Sequence, residues 1–330
     1  MKVFSQYEVN KLNAGPKAKV DVEKILEKEY GAKAYKLKVK RNLNNKFYLL
    51  LFRIKKLFYL FFLHNINDIV VFQLPVNKNQ KLPAKSTKSI GLIHDIEGLR
   101  HDDNALLKKE IELYNKMDVI ISHNKIMTKF LKENGVNKKI IELELFDYLL
   151  ENDFKKERNT KEKVVVFVGN LEKSLFLNEL SDKKMDFKMN LYGVGKYNKN
   201  NKKFFYNGSF LPDVLPSKIE GDLGLVWDGS LNDKNNNFLN YTRYNNPHKA
   251  SCYLTAGIPI VVWSKSAVAE FVKKYDVGYI INDIYDINNI SLKDYNVKLK
   301  NVLKIRKKII NGEYTKSAIA KALNVINKEK

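Results

Sequence analysis

The stretch YNNPHKASCYLTAGIPIVVW, residues 244–263, decides how the rest of the chain is read. Pro247 opens an apolar helical run, Gly257 closes it, and Ile258–Trp263 follows as a short, β-branched strand. Proline in the first turn and glycine just past the last are the usual start and stop of a helix. A helix feeding directly into a buried strand is the repeating unit of a parallel-sheet α/β protein. In such sheets ligands collect beyond the carboxyl ends of the strands. A helix N-terminus there offers backbone N–H groups and partial positive charge to an anion. Lys249, in that first turn, is unfavourable beside the helix dipole unless a phosphate neutralises both. It is therefore the leading phosphate-binding candidate, set against the plain alternative of an exposed loop lysine.

The same alternation runs through most of the 330 residues. Before 150, strands are expected at Val3–Tyr7, Asp68–Leu74, Ser89–His94, Val119–Ser122 and Ile140–Leu145. Helices are expected at Pro16–Tyr30, Ala105–Lys116 and Lys125–Asn134. The polar run ENDFKKERNTKEK (151–163) reads as a linker. After it, strands are expected at Val164–Val168, Lys188–Tyr192, Phe204–Tyr206, Leu223–Trp227, Ile258–Trp263 and Gly278–Ile281, with helices between them and two more at the end. The expectation is an α/β chain of two similar halves, an N-terminal domain over 1–155 and a C-terminal domain over 156–330, with the last helix packing back on the first.

Lys and Arg outnumber Asp and Glu by 59 to 37, a net charge of +22. Such an excess favours anionic partners. Lysine is spread evenly rather than gathered into a stripe, which argues against nucleic acid. The lone cysteine, Cys252, rules out an internal disulfide and reads as a small core residue. The N-terminus has no apolar signal core, so the expected location is cytoplasmic. The segment NKFYLLLFRIKKLFYLFFLH (45–64) has the length and apolar content of a membrane span, but Arg53, Lys55 and Lys56 sit near its middle. Each central charge costs roughly 3 kcal/mol on insertion. Two readings stay open: a basic aromatic helix lying on the inner membrane face, and a helix docked on the core or on another subunit.

The strand-end rule selects the loops where chemistry belongs. After the first strand come Asn13, Ala14, Gly15, Pro16 and Lys17, where glycine lets a ligand approach before a helix N-terminus. This is not GxGxxG, no GxxxxGK[ST] occurs, and Gly193-Val194-Gly195 is half a fingerprint only. His94-Asp95-Ile96-Glu97-Gly98-Leu99-Arg100 ends a buried strand, and Asp95 is the best-placed general base, with Glu97 next. His94 and His123 read equally as substrate hydrogen-bonders and as satisfied polar residues, whereas Asp102 and Asp103 read as helix caps. Lys173, after Val164–Val168, is a cation suited to a pyrophosphate leaving group. Tyr192 either stacks on a base or fills the sheet edge. No HExxH or other metal spacing is present, and no metal or cofactor is expected.

Taken together, HDIEGLR (94–100), VGNLEKS (168–174), DLGLVWDG (222–229) and NPHKASCYLTAGIPIVV (246–262) resemble bacterial GT-B glycosyltransferases. The likeness is to the glucosyltransferases that extend O-linked GlcNAc on serine-rich repeat adhesins, and to related β-1,6-galactofuranosyltransferases. The resemblance implies a GT-B fold, two Rossmann-like domains facing a central cleft that closes on donor and acceptor. It implies a UDP-sugar donor on the C-terminal domain, held by Lys173, Tyr192 and the turn Pro247, His248, Lys249, Ala250 and Ser251. It places a glycan or glycoprotein acceptor against Asn13, Ala14, Gly15, Lys17, His94, Glu97 and Arg100, and implies a homo-oligomer, a dimer or tetramer. Lysine stands at 173 where streptococcal members have arginine, which removes a bidentate contact. The implied reaction is metal-independent hexosyl transfer to a sugar hydroxyl, GlcNAc on an adhesin in the first instance. The alternatives are a hexosyltransferase of surface polysaccharide and a non-catalytic partner subunit. The lack of a Glu-x7-Glu motif tilts the anomeric outcome toward inversion.

Overall fold

The computed structural model describes residues 1–8, 15–39, 50–55, 57–58, 68–75, 88–156, 163–232 and 236–328. They form two compact units. The first takes in the described residues up to Leu143 together with those from Tyr314 onward; the second runs from Glu144 to Glu313.

The first unit is built on β1 (Lys2–Glu8), α1 (Lys17–Tyr30), β2 (Lys33–Val39), β3 (Ile69–Leu74), β4 (Lys88–Ile93), α2 (Glu97–Arg100), α3 (Asn104–Tyr114), β5 (Val119–Ser122), α4 (Lys125–Glu133) and β6 (Lys139–Glu142). Its strands make one parallel sheet in the order β2-β1-β3-β4-β5-β6. The central strands are apolar runs buried on both faces, as a helix-covered parallel sheet requires. β2 was not expected from the sequence. Its pattern, Tyr35 and Leu37 buried between Lys36 and Lys38, is the one-sided alternation of a charged edge strand. Asp103 caps α3 through the Leu106 N–H at 2.9 Å, and Asn124 caps α4 through Met127 at 2.9 Å.

The second unit contains β7 (Val164–Asn170), α5 (Phe176–Glu179), β8 (Lys188–Val194), β9 (Phe204–Tyr206), α6 (Leu215–Lys218), β10 (Leu223–Val226), α7 (Asn237–Tyr241), α8 (His248–Thr255), β11 (Ile260–Trp263), α9 (Val268–Tyr275), β12 (Gly278–Ile281) and α10 (Tyr295–Ile310). This sheet is also parallel, in the order β12-β11-β10-β7-β8-β9. The final helix, α11 (Glu313–Lys328), belongs from Tyr314 onward to the first unit. There Lys316 pairs with Glu29 at 2.7 Å, and the Ile326 carbonyl accepts from Lys88 at 2.8 Å.

Each sheet reverses its winding once, between β1 and β3 and between β7 and β10. At such a point the flanking helices leave to opposite faces and a crevice opens at the strand ends. In the second unit, β7 and β10 pair only at Leu223–Val165 and Gly224–Val166, although both strands continue. The Tyr253 hydroxyl, from α8, takes over beyond that register. It accepts from the Val168 N–H at 2.7 Å and donates to the Leu225 carbonyl at 3.1 Å. Gly224 makes room for it, since a Cβ there would lie 2.4 Å from Tyr253 Cγ.

In the first unit, Glu110 on α3 reaches under α2 and accepts from the Glu97 and Gly98 N–H groups at 3.0 and 2.8 Å. Gly98 seats α2 on α3, because a Cβ there would stand 2.3 Å from the Leu107 nitrogen. Burial pushes the Glu110 carboxyl up to about 7. His123 is buried, bonds the Ile93 carbonyl at 3.1 Å, and has its imidazole pushed down to about 4 by burial. It is a satisfied core histidine.

Tyr253→Phe leaves a donor and an acceptor unpaired in the core, at a cost of about 1–3 kcal/mol. Urea unfolding followed by tryptophan fluorescence reads this directly, since both tryptophans, Trp227 and Trp263, lie in the second unit. An unchanged midpoint would remove the hydroxyl from this role. Glu110 binds its proton more tightly folded than unfolded, so its contribution lowers stability as pH rises from about 4.3 to about 7. His123 acts in the opposite sense between about 4 and about 6.5, so the wild-type curve mixes the two. The difference between wild type and Glu110→Gln isolates the carboxyl and should move by about 3–4 kcal/mol in the variant's favour across that range. A pH-independent difference would show that Glu110 ionises as in water.

Candidate active site

At the β7/β10 crevice of the second unit stands Lys249. Its Nζ donates to the Trp227 carbonyl at 2.7 Å and to Asp228 Oδ1 at 2.7 Å, and it lies 4.7 Å from the centre of the Phe167 ring. The lysine side chain is 13% exposed. An ammonium has three N–H donors, and these two acceptors leave the third for a ligand. The site is less cationic than a bare lysine, because Asp228 offsets part of its charge. Lys249 is the second residue of α8, so the helix terminus adds its own partial positive charge.

The residues around Lys249 anchor the helix. Pro247 is the N-cap in extended conformation, and Ala250 is fully buried. His248 stacks on Tyr148 with ring centres 4.9 Å apart and its Nε2 meets the Asp147 carbonyl at 3.2 Å. Ser251 donates to the Phe146 carbonyl at 2.6 Å. His248 and Ser251 thus tie the first turn of α8 to the 146–148 segment. Cys252 is buried on the same helix.

Lys173 is exposed in the turn after β7, its backbone N–H held by Asn170 Oδ1 at 3.0 Å. Tyr192 is 2% exposed, and its hydroxyl accepts from the Glu220 N–H at 2.9 Å. Of its two open readings, the structure shows core packing in place of a free stacking face. The glycines of Gly193-Val194-Gly195 serve close approaches at the ends of β7 and β8. With φ of 138°, a Cβ at Gly193 would sit 1.8 Å from the Gly169 oxygen, and one at Gly195 would sit 2.7 Å from the Glu172 nitrogen. Two further side chains stand near the strand ends of this unit. Asp228 pairs with Lys249, and Arg243 stands 4.7 Å over the Trp263 ring at the end of β11. The signal for Arg243 was its place in YTRYNNPHK, six residues before Lys249.

The first unit gathers polar groups at its own β1/β3 crevice. His94 Nε2 meets Gln73 Oε1 at 2.8 Å. Asp95 pairs with Arg100 at 3.2 Å, Arg100 lies 3.7 Å from Glu97, and Glu97 meets His101 at 3.1 Å. His94, Asp95, Glu97 and Arg100 are therefore neighbours, in the turn after β4 and the short α2 that follows it. Gly15 is exposed, and Asn13 and Ala14 lie outside the described residues. Lys17 is buried and pairs with Asp21 at 2.7 Å, so its charge is committed within α1. The lysine that reaches the sheet end is Lys19, two residues further along α1. It donates to the carbonyls of Gln6, Gln73 and Pro75 at 2.9, 3.4 and 3.2 Å. Burial lowers it to about 8, against the pull of Asp95 and Glu97.

Residues 50–55 are helical, and Leu50, Leu51, Ile54, Leu57 and Phe58 are each about half exposed or more beside exposed Arg53 and Lys55. The rest of 45–64 lies outside the described residues. Among the described residues no helix is long and apolar enough to cross a membrane.

Residues 2–145 match the family model for the N-terminal domain of glucosyltransferase 3-like proteins, and residues 165–322 match the model for the C-terminal domain. The chain is 32% identical over 247 residues to the β-1,6-galactofuranosyltransferase WbbI of Escherichia coli strain K12, covering 71% of each. It is 24% identical over 271 residues to glucosyltransferase 3 of Streptococcus gordonii, covering 78% of this chain and 79% of that one. Among solved structures, the fold is shared with sucrose-phosphate synthase from Thermosynechococcus elongatus, at a TM-score of 0.68 and 10% identity over 100% of both chains. It is shared also with Anabaena HepE in complex with UDP, at a TM-score of 0.61 and 11% identity over 98% of this chain and 100% of that one. With both family models matched and two parallel α/β units of this kind, the chain belongs to the glucosyltransferase 3-like family and is a bacterial glycosyltransferase of GT-B fold.

Proposed function

We propose that the chain transfers a hexose from a UDP-sugar to a sugar hydroxyl of a glycan or glycoprotein, without a metal ion. The observation that carries this reading is Lys249 at the β7/β10 crevice on the first turn of α8, with one N–H left for a phosphate oxygen. Diphosphate there meets an ammonium and a helix N-terminus, the two elements a metal-free leaving-group site needs. Lys173, exposed after β7, is the second cation of the proposal, and Arg243 a third. On the first unit, the His94–Arg100 stretch receives the acceptor. In the transfer step the acceptor oxygen bonds the anomeric carbon, the bond from that carbon to the β-phosphate oxygen breaks, and UDP leaves with the electron pair. Asp95 takes the hydroxyl proton. Arg100 lies 3.2 Å from it and orients the carboxylate. The use of a nucleotide sugar places the reaction in the cytoplasm.

The relatives differ in the sugar their names carry, glucose in one and galactofuranose in the other. The higher identity to WbbI favours galactofuranose as much as the streptococcal proteins favour glucose, so a donor screen over UDP-glucose, UDP-GlcNAc, UDP-galactose and UDP-galactofuranose is the deciding measurement. Lys249→Met should weaken UDP binding by calorimetry at least tenfold, about 1.4 kcal/mol, and UDP release should be insensitive to EDTA. Undiminished affinity in the variant would move the diphosphate elsewhere, and strict Mg²⁺ dependence would overturn the cation assignment.

The exposed side chains of Leu51, Ile54 and Leu57 beside Arg53 and Lys55, on a chain of net charge +22, support peripheral contact with an anionic membrane. Vesicles of phosphatidylglycerol should bind the protein in a salt-sensitive way, and Leu51→Asp/Ile54→Asp should abolish it. Absence of binding, or equal binding to neutral phosphatidylcholine, would leave a protein partner as the reading for this surface.

A further inference from the structure

Asp228 brings a negative charge to Lys249, and holding the lysine does not require one. The Trp227 carbonyl already accepts from Nζ at 2.7 Å, and Asp228 Oδ1 accepts a second N–H at 2.7 Å. A neutral amide oxygen would make the same second contact. Asp228 Oδ2 makes no hydrogen bond among the described residues, and the side chain is 35% exposed just past the end of β10. Its backbone is fixed on both sides. The Trp227 indole N–H donates to the Ser230 carbonyl at 2.8 Å, and the Gly229 carbonyl accepts from the Phe176 N–H at 2.8 Å. Gly229 turns the chain with φ of 73°, and a Cβ there would stand 2.3 Å from Asn236 Oδ1.

A phosphate oxygen bonded to the same ammonium comes within about 4–5 Å of Asp228 Oδ1, by the tetrahedral spread of the N–H donors. Two anions that close repel. The carboxylate therefore penalises a diphosphate here unless the ligand also carries groups that donate to it. A hexose on the β-phosphate carries several hydroxyls, and a hydrogen bond to an ionised acceptor is among the strong ones. UDP has no such group on its β-phosphate. It also carries more charge at pH 8, because a terminal phosphate loses its second proton near pH 6.

We propose that Asp228 is a specificity residue that separates the loaded donor from the spent nucleotide. Its Oδ2 accepts a hydrogen bond from a hydroxyl of the hexose to be transferred, and its charge disfavours UDP once the hexose has gone. This rests on the reading of Lys249 as the diphosphate site. One side chain then works against product inhibition while its other oxygen keeps the ammonium in place. The ligand chemistry is a hydroxylated sugar ester of a diphosphate. Ribose hydroxyls are common to UDP and every UDP-hexose, so they cancel when the two are compared.

The test is calorimetry on the full chain at pH 8 with UDP, UDP-glucose, UDP-GlcNAc, UDP-galactose and UDP-galactofuranose. The quantity read is the Kd for UDP divided by the Kd for the UDP-hexose that binds tightest. Asp228→Ala should lower this ratio about tenfold, the loss of one charge-assisted hydrogen bond. Asp228→Asn, which keeps an oxygen for Lys249, should bind UDP more tightly than the wild type does. An unchanged ratio in Asp228→Ala overturns the proposal. That includes the case where both ligands weaken together, which would leave Asp228 as a support for Lys249 alone. Weaker UDP binding to Asp228→Asn overturns the charge penalty. No binding of UDP to the wild type, or undiminished UDP affinity in Lys249→Met, instead sinks the phosphate reading on which the proposal stands.

Discussion

The second unit of this enzyme depends on one hydroxyl group. A reversal of winding between β7 and β10 is what opens a crevice for a ligand, and it also leaves the two strands short of backbone partners. The Tyr253 hydroxyl supplies both missing contacts at once, from a helix whose first turn faces the same crevice. The helix that splints the strands is thus the helix that delivers Lys249. Gly224 is the condition for this, since any side chain there would expel the tyrosine ring. Fold and site share a single anchor, and the position of the ammonium follows from core packing.

The first unit solves the corresponding problem with buried polar side chains. Gln73, Lys19 and Glu110 each satisfy main-chain groups near the strand ends. Burying such groups is costly unless every donor and acceptor finds a partner. Here the partners are the carbonyls of Gln6, Lys19, Gln73 and Pro75 and the N–H groups of Glu97 and Gly98. The displaced ionisation of Lys19 and Glu110 is the electrostatic mark of that arrangement.

Charge is distributed by the same logic. A chain of +22 has cations in abundance, yet the lysines nearest the strand ends are committed to partners: Lys17 to Asp21, Lys19 to three carbonyls and Lys249 to Asp228 and Trp227. A lysine held this way loses little conformational freedom when a phosphate arrives, because its position is already set. Net charge describes the surface, and hydrogen-bond partners decide which lysine can act on a ligand.

By itself the sequence determined the alternation of apolar strands and capped helices, the two-half plan, the family likeness and the candidacy of Lys249, because each is written in local periodicity or contiguous motif. The Asp95–Arg100 group was legible for the same reason, being one contiguous stretch. Tertiary structure alone decided the rest. Tyr192 turned inward, Lys17 was spent on Asp21, and Lys19 replaced it at the sheet end, since two residues along a helix turn a side chain by more than half a circle. Gln73 reached His94 and Tyr253 reached Val168 across 21 and 85 residues of chain. Pairings so distant are set by strand order and crossover, which no local pattern records.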